Sequence, residues 1–248
     1  MAAEYVLAIP RQQLTNQNVG TDGIYPIDLN AVDTDAYALL PRHIADGKDP
    51  ETRKATEESL AIGKLLPQIL GYFQIVDEQG RILTYRRKGK EQGLLGKFSI
   101  GVGGHVDLAD VNYLYATTSH NPDNGEIDTN VTLHQRDGIV SIIATGAARE
   151  LKEEIGVEIH PATLSFDRVI ASYADATSMV HVGLPAEILV RDMPSEDGEI
   201  RLDSPLKSDL RYSPAEYPGV EWYTKEELKK LATEVEFETW SQLLIEQF

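Results

Sequence analysis

Residues 149–157 read Arg-Glu-Leu-Lys-Glu-Glu-Ile-Gly-Val, which combines crowded carboxylates with aliphatic side chains. Upstream of Leu151 an apolar residue recurs at every fourth position, which predicts a helix over residues 141–155 with one buried stripe. At 100° per residue, Glu150, Glu153 and Glu154 fall within an arc of about 100° on that helix. Like charges at this spacing destabilise an isolated helix. The arrangement therefore favours a bound hard cation such as Mg²⁺, which prefers oxygen ligands.

A cluster of glutamates on a helix also has a simpler interpretation, because many solvated helix faces carry Arg, Lys and Glu together. Two adjacent glutamates alone would favour that interpretation. The full pattern, including the aliphatic residues and Gly156, should arise by chance in about one chain in 10,000 or fewer at average residue frequencies. Residues 149–157 are therefore interpreted as part of a functional site.

The same nine residues resemble the second half of the signature box of the Nudix hydrolases, and Gly103-Gly104 resembles the start of that box. Residues 66–106 are further similar to a bacterial and phage branch of predicted phosphoesterases. The resemblance covers roughly residues 66–248. It implies an α/β fold, a Nudix-like α/β/α sandwich with a mixed sheet, and leaves residues 1–65 as an N-terminal extension packed on this domain.

The spacing of the box departs from the family pattern. The family usually has five residues between the Gly and a first Glu, and seven between that Glu and the Arg, whereas residues 105–148 separate Gly104 from Arg149. The loop therefore carries an insertion at about residues 108–140, which is expected to form a lid, a specificity loop or an oligomer contact. When the family spacing is counted back from Arg149, Ser141 stands at the position of the first Glu. The candidate substitutes near the glycines are Asp107 and Asp110.

The resemblance implies a set of roles around a divalent ion, Mg²⁺ or alternatively Mn²⁺. Glu153 and Glu154 would ligate the metal, and the carbonyl of Gly103 would complete the inner shell. Glu150 would add a ligand or act as a base. Arg149 would orient the carboxylates by bidentate pairing, which suits its planar guanidinium. Such an ion would activate a water and stabilise the leaving phosphate.

Further site residues are expected outside the helix. The general base of this family is often a Glu on a distant loop, for which Glu216 is the first candidate and Glu221 the second. A basic cluster at residues 86–90 is a candidate to contact substrate phosphates, although a solubilising strand end has the same composition. The candidate substrate contacts are Arg86, Arg87, Gly104 and His105.

Composition limits the classes of partner. The chain has 248 residues, a net charge of −17 and no cysteine. A surface this acidic repels a nucleic-acid polymer, while a bound cation still admits a small phosphorylated substrate. The lack of cysteine excludes disulfides, thiolate metal sites and thiol nucleophiles. No stretch approaches the length of a membrane span, so a cytoplasmic protein without a membrane partner is expected, and a homodimer is left open.

The leading hypothesis is a metal-dependent pyrophosphohydrolase that cleaves a diphosphate linkage in a nucleoside diphosphate derivative or a related phosphorylated small molecule. The alternative is a catalytically silent module that binds or senses a nucleotide in the same cleft, because fold does not determine function. The three crowded glutamates favour the hydrolase. Diphosphate isomerisation on this fold relies on a cysteine, which the chain lacks.

Local patterns predict several flanking elements. Residues 69–76 and 81–87 should pair as a hairpin, and residues 97–102 should form a further strand that ends in Gly103-Gly104. Thr224 with Glu227 fits a capping box that opens a helix. In the N-terminal segment, Asp49-Pro50-Glu51 predicts the start of a helix that runs towards Gly63.

Overall fold

A computed structural model describes residues 4–15, 19, 22–32, 37–88, 94–110, 138–192, 205–212, 217 and 219–248. Within these residues the strands are β1 (Tyr5–Ala8), β2 (Gly23–Pro26), β3 (Ala38–Pro41), β4 (Gln68–Asp77), β5 (Ile82–Arg86), β6 (Phe98–Ser99), β7 (Val102–His105), β8 (Arg168–Ala171), β9 (His181–Val190) and β10 (Glu221–Tyr223). The helices are α1 (Arg11–Thr15), α2 (Arg42–Ala45), α3 (Glu57–Leu65), α4 (Gly138–Ile155), α5 (Ala176–Met179), α6 (Lys225–Leu231) and α7 (Thr239–Ile245).

The described strands form one mixed sheet. Its main order is β10-β5-β4-β9-β8-β2, and β7 also pairs with β4. The long central strands β4 and β9 run parallel over ten residue pairs, whereas β7, β5 and β8 pair antiparallel with their neighbours. The expectation of an α/β fold with a mixed sheet is confirmed. Since β7 ends in Gly103, Gly104 and His105, the topology brings these residues beside the middle of the sheet.

Alternate residues of β4 face two separate cores, as strand geometry requires. Phe73 lies in the larger core, which contains the buried residues of α4. Tyr72 lies in the smaller core, where the Trp240 ring from α7 meets it edge to face at 5.4 Å between centroids. Helices therefore cover both faces of the sheet, and α7 covers the face that carries Tyr72.

The N-terminal segment contributes strands to the same sheet. β1 pairs with β3 and, at Ala8, with Gln68 of β4, while β2 pairs with β8. The backbone N–H of Leu7 also donates to the carbonyl of Val106 at 2.7 Å. This segment therefore supports β4 and the end of β7 directly.

The predicted helix start at Asp49 is wrong. The Asp49 side chain accepts hydrogen bonds from the backbone N–H groups of Glu51 and Thr52, which makes a turn. Arg53 then has a φ of 58°, which a right-handed helix does not allow. Helix α3 begins instead after Thr56, whose side chain and backbone form a capping box with Ser59.

The predicted hairpin and the capping box at Thr224 are confirmed. The single strand predicted at residues 97–102 is divided into β6 and β7. Gly101 lies between the two strands and packs closely on Tyr72, because a Cβ there would lie 2.1 Å from the ring. None of the described helices combines the length and the apolar character that a membrane crossing requires.

Candidate active site

Helix α4 holds the three glutamates at the edge of the larger core. Its apolar stripe is almost fully buried, as the periodicity predicts; the stripe residues are Ile143, Ala147, Leu151 and Ile155. Gly156 has a φ of 73° and ends the helix, with its N–H bonded to the carbonyl of Lys152 at 3.1 Å. The burial of the stripe determines the rotation of the helix, and Glu150 therefore faces β7.

Gly104 lets β7 approach this helix closely. A Cβ at Gly104 would lie 2.1 Å from the carboxyl carbon of Glu150. Every side chain other than hydrogen would therefore displace the carboxylate. Gly103 allows a close approach between strands, because the Gly71 carbonyl of β4 lies 2.6 Å from where the Gly103 Cβ would be.

A cavity of about 330 Å³ opens beside this contact. Glu150 and Glu154 line it together with Gly103, Gly104 and His105. The sequence prediction that these residues share one site agrees with their positions. The same cavity is lined by residues from distant segments, among them Arg42, Arg87, His181 and Glu238.

Arg149 connects α4 to the end of β7. Its Nε and Nη2 donate to the two carboxylate oxygens of Asp110 at 2.8 and 3.0 Å, and Nη2 also donates to the His105 carbonyl at 2.9 Å. Asp110 is buried, and its carboxylate, followed by that of Glu150, raises the pKa of Arg149 above its ordinary value. Arg149 thus stays charged and orients its neighbours, with Nη1 bonded to Glu150 at 2.8 Å and to Glu153 at 3.1 Å.

Asp110 lies at the spacing that the resemblance predicts for the first Glu. Residues 105–109 lie between it and Gly104, which is the spacing of the family's box counted from its glycine. Of the two candidate substitutes, Asp110 makes the bidentate pair, while Asp107 approaches Arg149 only at 3.4 Å. The inserted residues therefore fall after Asp110. Residues 111–137 lie outside the described part of the chain.

The three glutamates differ in environment. Glu153 pairs with Arg149, its side chain is 61% exposed, and it does not line the cavity. Glu154 lines the cavity and accepts a hydrogen bond from the Tyr217 hydroxyl. Burial, followed by the charges of Glu154 and Glu153, raises the pKa of Glu150, although Arg149 opposes this rise. Two carboxylates thus face the cavity and repel each other there.

The described residues contain no group of three or more His, Cys, Asp or Glu side chains arranged to hold a metal ion. Of the ligands that the sequence predicts, Glu150, Glu154 and the backbone of Gly103 line the cavity. These are the hard donors that Mg²⁺ and Mn²⁺ prefer. The donor chemistry therefore suits such an ion with two carboxylates, fewer than the sequence predicts.

His105 faces a second histidine across the cavity wall. The Nε2 atoms of His105 and His181 are 3.4 Å apart, and Nδ1 of His181 donates to the Thr177 carbonyl at 2.6 Å. Burial and the neighbouring His181 and Arg42 lower the pKa of His105 to about 3. His105 is therefore neutral near pH 7 and can contribute hydrogen bonds to this site without adding charge.

The remaining predicted residues are placed as follows. Arg87 lines the cavity, whereas Arg86 is exposed, lies 5.0 Å over the Phe98 ring and does not line it. Glu221 is exposed on β10 and is not part of the lining. Glu216 lies outside the described residues.

Sequence reasoning missed three residues that the fold brings to the site. Arg42 comes from the N-terminal segment, Tyr217 follows the predicted base, and Glu238 precedes α7. No local pattern marks Arg42. Glu238 did carry a signal, because it is an acid between Phe237 and Trp240 in a segment that is otherwise expected to pack in the core.

The sequence matches no family model, and no curated protein matches it. Among solved structures, the chain is similar to Tm1382, a provisionally assigned Nudix hydrolase, with 19% identity, a TM-score of 0.58 and coverage of 99% of this chain and 100% of that one. A weaker likeness is to a MutT protein from Methanosarcina mazei Go1, with 17% identity, a TM-score of 0.37 and coverage of 73% of this chain and 92% of that one. Another is to a Nudix hydrolase from Alicyclobacillus acidocaldarius, with 12% identity, a TM-score of 0.39 and coverage of 73% of this chain and 90% of that one. The likeness to Tm1382 over nearly the whole chain shows that this protein has a Nudix-like fold.

Proposed function

We propose that this protein is a metal-dependent hydrolase that cleaves a diphosphate linkage in a nucleoside diphosphate derivative or a related phosphorylated small molecule. The observation that carries the proposal is the pair Glu150 and Glu154 on one cavity wall, next to Gly103 and Gly104. Arg149 and Asp110 hold this wall in place. Two carboxylates that repel each other in a partly buried site are stabilised when a divalent cation joins them.

Glu150 and Glu154 would hold Mg²⁺, or Mn²⁺ in its place, and the Gly103 carbonyl would add a backbone ligand. Mg²⁺ commonly uses one or two carboxylates and keeps waters and substrate phosphate oxygens as its other ligands, so two carboxylates suffice. When bound, the ion supplies Lewis acidity for the phosphates and for an attacking water. Glu153 would reach the ion only by leaving Arg149, to which it is paired at 3.1 Å.

Two arginines of the cavity would bind the substrate phosphates. Arg42 and Arg87 both line it, and they offset locally the net charge of −17 that would repel an anionic substrate. A guanidinium suits phosphate because it donates two parallel hydrogen bonds. The size of the cavity, about 330 Å³, favours a small phosphorylated molecule over a polymer.

Glu216 remains our proposal for the general base. Its neighbour Tyr217 donates a hydrogen bond to Glu154, so the chain passes the proposed metal site one residue after Glu216. Burial raises the pKa of Glu150, which makes Glu150 the second candidate for accepting a proton. Exchanging each residue for Gln and comparing the pH dependence of kcat would separate the two.

The test is Glu154→Gln, assayed for phosphate or nucleotide release with Mg²⁺ and with EDTA. The substrates would be nucleotide sugars, dinucleoside polyphosphates, NADH, ADP-ribose and nucleoside triphosphates. We expect Mg²⁺-dependent turnover of at least one substrate, and a fall of about 100-fold or more in the variant, because it loses a carboxylate ligand of the metal. Glu158→Gln is the matched control, since Glu158 is largely exposed and pairs with Lys152.

The second candidate function is a nucleotide-binding module without turnover. It is supported by Glu153, whose side chain pairs with Arg149 and does not line the cavity. Tight binding of a nucleotide together with the absence of Mg²⁺-dependent cleavage across the panel would establish the module. Turnover that is equal in Glu154→Gln and in the unchanged protein would contradict the metal-ligand role of Glu154.

A further inference from the structure

A third acidic residue in the cavity takes no part in the proposed chemistry. Glu238 lies immediately before α7 and lines the same cavity as Glu150 and Glu154, on the wall formed by Tyr72 and Trp240. It is only 6% exposed. A buried carboxylate costs free energy unless partners compensate it, so its surroundings decide whether it serves the fold or a ligand.

One carboxylate oxygen of Glu238 is surrounded by hydroxyl groups. Oε1 accepts hydrogen bonds from the hydroxyls of Tyr72, at 2.5 Å, and Ser99, and the Ser241 hydroxyl lies at 3.2 Å. Burial and the Glu238 charge raise the pKa of Tyr72 well above its ordinary value, so this phenol keeps its proton and donates. Oε1 is therefore held in a defined position.

The other oxygen faces a different environment. Among the described residues no donor bonds to Oε2 of Glu238. The charge of Arg87, which lines the same cavity, acts on the Glu238 carboxylate. Oε2 is not fully enclosed by protein, whereas Trp240 Nε1 in the same cavity wall is enclosed and lacks a partner. A rigid acceptor with access to the cavity is thus available to a ligand.

A purely structural role does not require this charge. The backbone already joins the segments, because the N–H of Glu238 donates to the Phe98 carbonyl at 2.9 Å and the N–H of Phe98 donates to the Glu236 carbonyl at 2.8 Å. The Ile100 N–H donates to the Ser241 hydroxyl at 2.9 Å, which adds a third link. A neutral side chain at position 238 would hold α7 on β6 at lower desolvation cost.

The surfaces next to Glu238 suit a flat ring. Tyr72 and Trp240 present aromatic groups, and Leu70 and Leu94 add apolar surface to the same cavity. Aromatic and apolar groups beside one fixed acceptor match a heteroaromatic ring that carries an amino group.

We propose that Glu238 is a specificity-determining residue that accepts a hydrogen bond from the amino group of a nucleobase on the substrate. This inference rests on the proposed function, because the base would be the group attached to the diphosphate held by Glu150 and Glu154. A site built to accept a hydrogen bond rejects an analogue that lacks the donor, since the buried acceptor is then left without a partner.

The experiment compares kcat/KM for the adenosine, inosine and unsubstituted-purine forms of one diphosphate-linked substrate. The unchanged protein should prefer the adenosine form over the purine form by about 10-fold or more. Glu238→Gln keeps an oxygen for the hydroxyl cluster and turns the second atom into a donor. The adenosine-to-purine ratio should therefore collapse, and the carbonyl-bearing inosine form should become preferred. Glu246→Gln, on exposed surface beyond α7, should leave the ratio unchanged.

Binding provides a second readout that does not depend on turnover. The chain has two tryptophans, so Trp222→Phe leaves Trp240 as the single fluorophore beside Glu238. The affinities for the three base forms, measured by quenching of Trp240 fluorescence, should follow the same order as the kcat/KM values. Glu238→Gln should change that order in the same way. Base preference in binding without any hydrolysis would overturn the proposed function and keep the role of Glu238. Hydrolysis without base preference would overturn the role of Glu238 alone.

Two outcomes separate this role from a structural one. If Glu238→Gln lowers kcat/KM by the same factor for all three forms, Glu238 serves the fold and the proposal is wrong. If the preference follows the ribose hydroxyls, measured with deoxyribose forms, the base assignment is wrong. Glu238→Asp retains the charge and should retain the adenosine preference, which keeps the test available if the Gln variant does not fold.

Discussion

Asp110 shows at the scale of single residues how one buried carboxylate positions Arg149. The bidentate bonds at 2.8 and 3.0 Å anchor the guanidinium, whose other nitrogen then reaches Glu150. The sequence makes both Asp107 and Asp110 candidates for this role. Only the folded chain distinguishes them, because the choice depends on which carboxylate meets a helix that lies 39 positions further along.

We predict that Asp110→Asn lowers kcat/KM by about 10- to 100-fold, as is typical when a group that orients a ligand is lost. The amide keeps the shape but not the charge, so Arg149 loses its strongest partner and Glu150 loses its orientation. Steady-state kinetics on the best substrate would measure the effect, with urea unfolding as a control for stability. Asp110→Glu should retain more activity than Asn, since the charge is preserved, and the reverse order would contradict the pairing role.

At the scale of the helix, Gly146 controls how closely α4 approaches Asp110. A Cβ at this position would lie 2.7 Å from Oδ2 of Asp110. Ala normally stabilises a helix interior relative to Gly by about 1 kcal/mol. We predict that Gly146→Ala nevertheless lowers both the free energy of unfolding and the activity, because the added methyl group displaces the carboxylate that holds Arg149.

A double-mutant cycle would test this origin. In an Asp110→Ala background the carboxylate is gone, so Gly146→Ala should cost less free energy of unfolding or become stabilising. Urea denaturation of the four proteins measures the coupling. Equal costs of Gly146→Ala in both backgrounds would show that the clash is not with Asp110.

The β4–β5 hairpin contains a buried ion-pair cluster at its turn. Oδ2 of Asp77 accepts bonds from Nε of Arg81 and Nζ of Lys207, each at 2.9 Å, and Asp77 is buried. Burial by itself would raise the pKa of Asp77, but the bonds from Lys207 and Arg81 lower it overall. A lowered pKa in the folded state stabilises the protein above the unfolded-state pKa, and that contribution is lost as the pH falls through the folded-state pKa.

We predict that Asp77→Asn reduces the free energy of unfolding at pH 7 by about 2 kcal/mol, a value typical of hydrogen bonds to a charged group. The difference in free energy of unfolding between the variant and the unchanged protein should shrink below about pH 4. There Asp77 becomes protonated in the unfolded chain, while its lowered pKa keeps it ionised in the folded protein. Urea unfolding from pH 3 to 7 measures both. Asp209→Asn, at an exposed position, is the matched control, and a pH-independent difference would contradict the mechanism.

At the scale of the whole molecule, the N-terminal segment belongs to the sheet and the core. β1 pairs with β3 and β4, and β2 pairs with β8. Nine residues of the larger core lie in this segment: Leu7, Ile9, Leu14, Val19, Ile27, Leu29, Val32, Tyr37 and Leu39. Arg42 of the cavity comes from it as well.

We predict that a fragment of residues 66–248 does not fold cooperatively, because it exposes this apolar surface and unpaired strand edges. Circular dichroism during urea titration and size-exclusion chromatography would measure the loss of a cooperative transition and the onset of association. Adding residues 1–65 as a separate chain should restore the transition at least in part. A fragment that unfolds cooperatively by itself would show that the segment is dispensable.

Sequence alone determined the features that depend on local periodicity and local chemistry. The apolar spacing of four predicted α4, alternation and turn residues predicted the hairpin of β4 and β5, and Thr224 with Glu227 predicted the start of α6. The glutamates of α4 and the glycines of β7 were recognisable because each set is contiguous in the chain. Such patterns arise from interactions over a few residues, which the sequence displays directly.

Tertiary structure decided which distant residues meet. Glu238 and Arg42 reach the cavity with Glu150 because α7 packs on Tyr72 of β4 and α2 packs on β1 and β3. Glu153 pairs with Arg149 and does not line the cavity. The turn at Asp49 formed in place of a helix because the side chain bonded two backbone groups of its own segment. Contacts between residues 100 or more positions apart depend on the packing of the whole chain, and no local pattern records that packing.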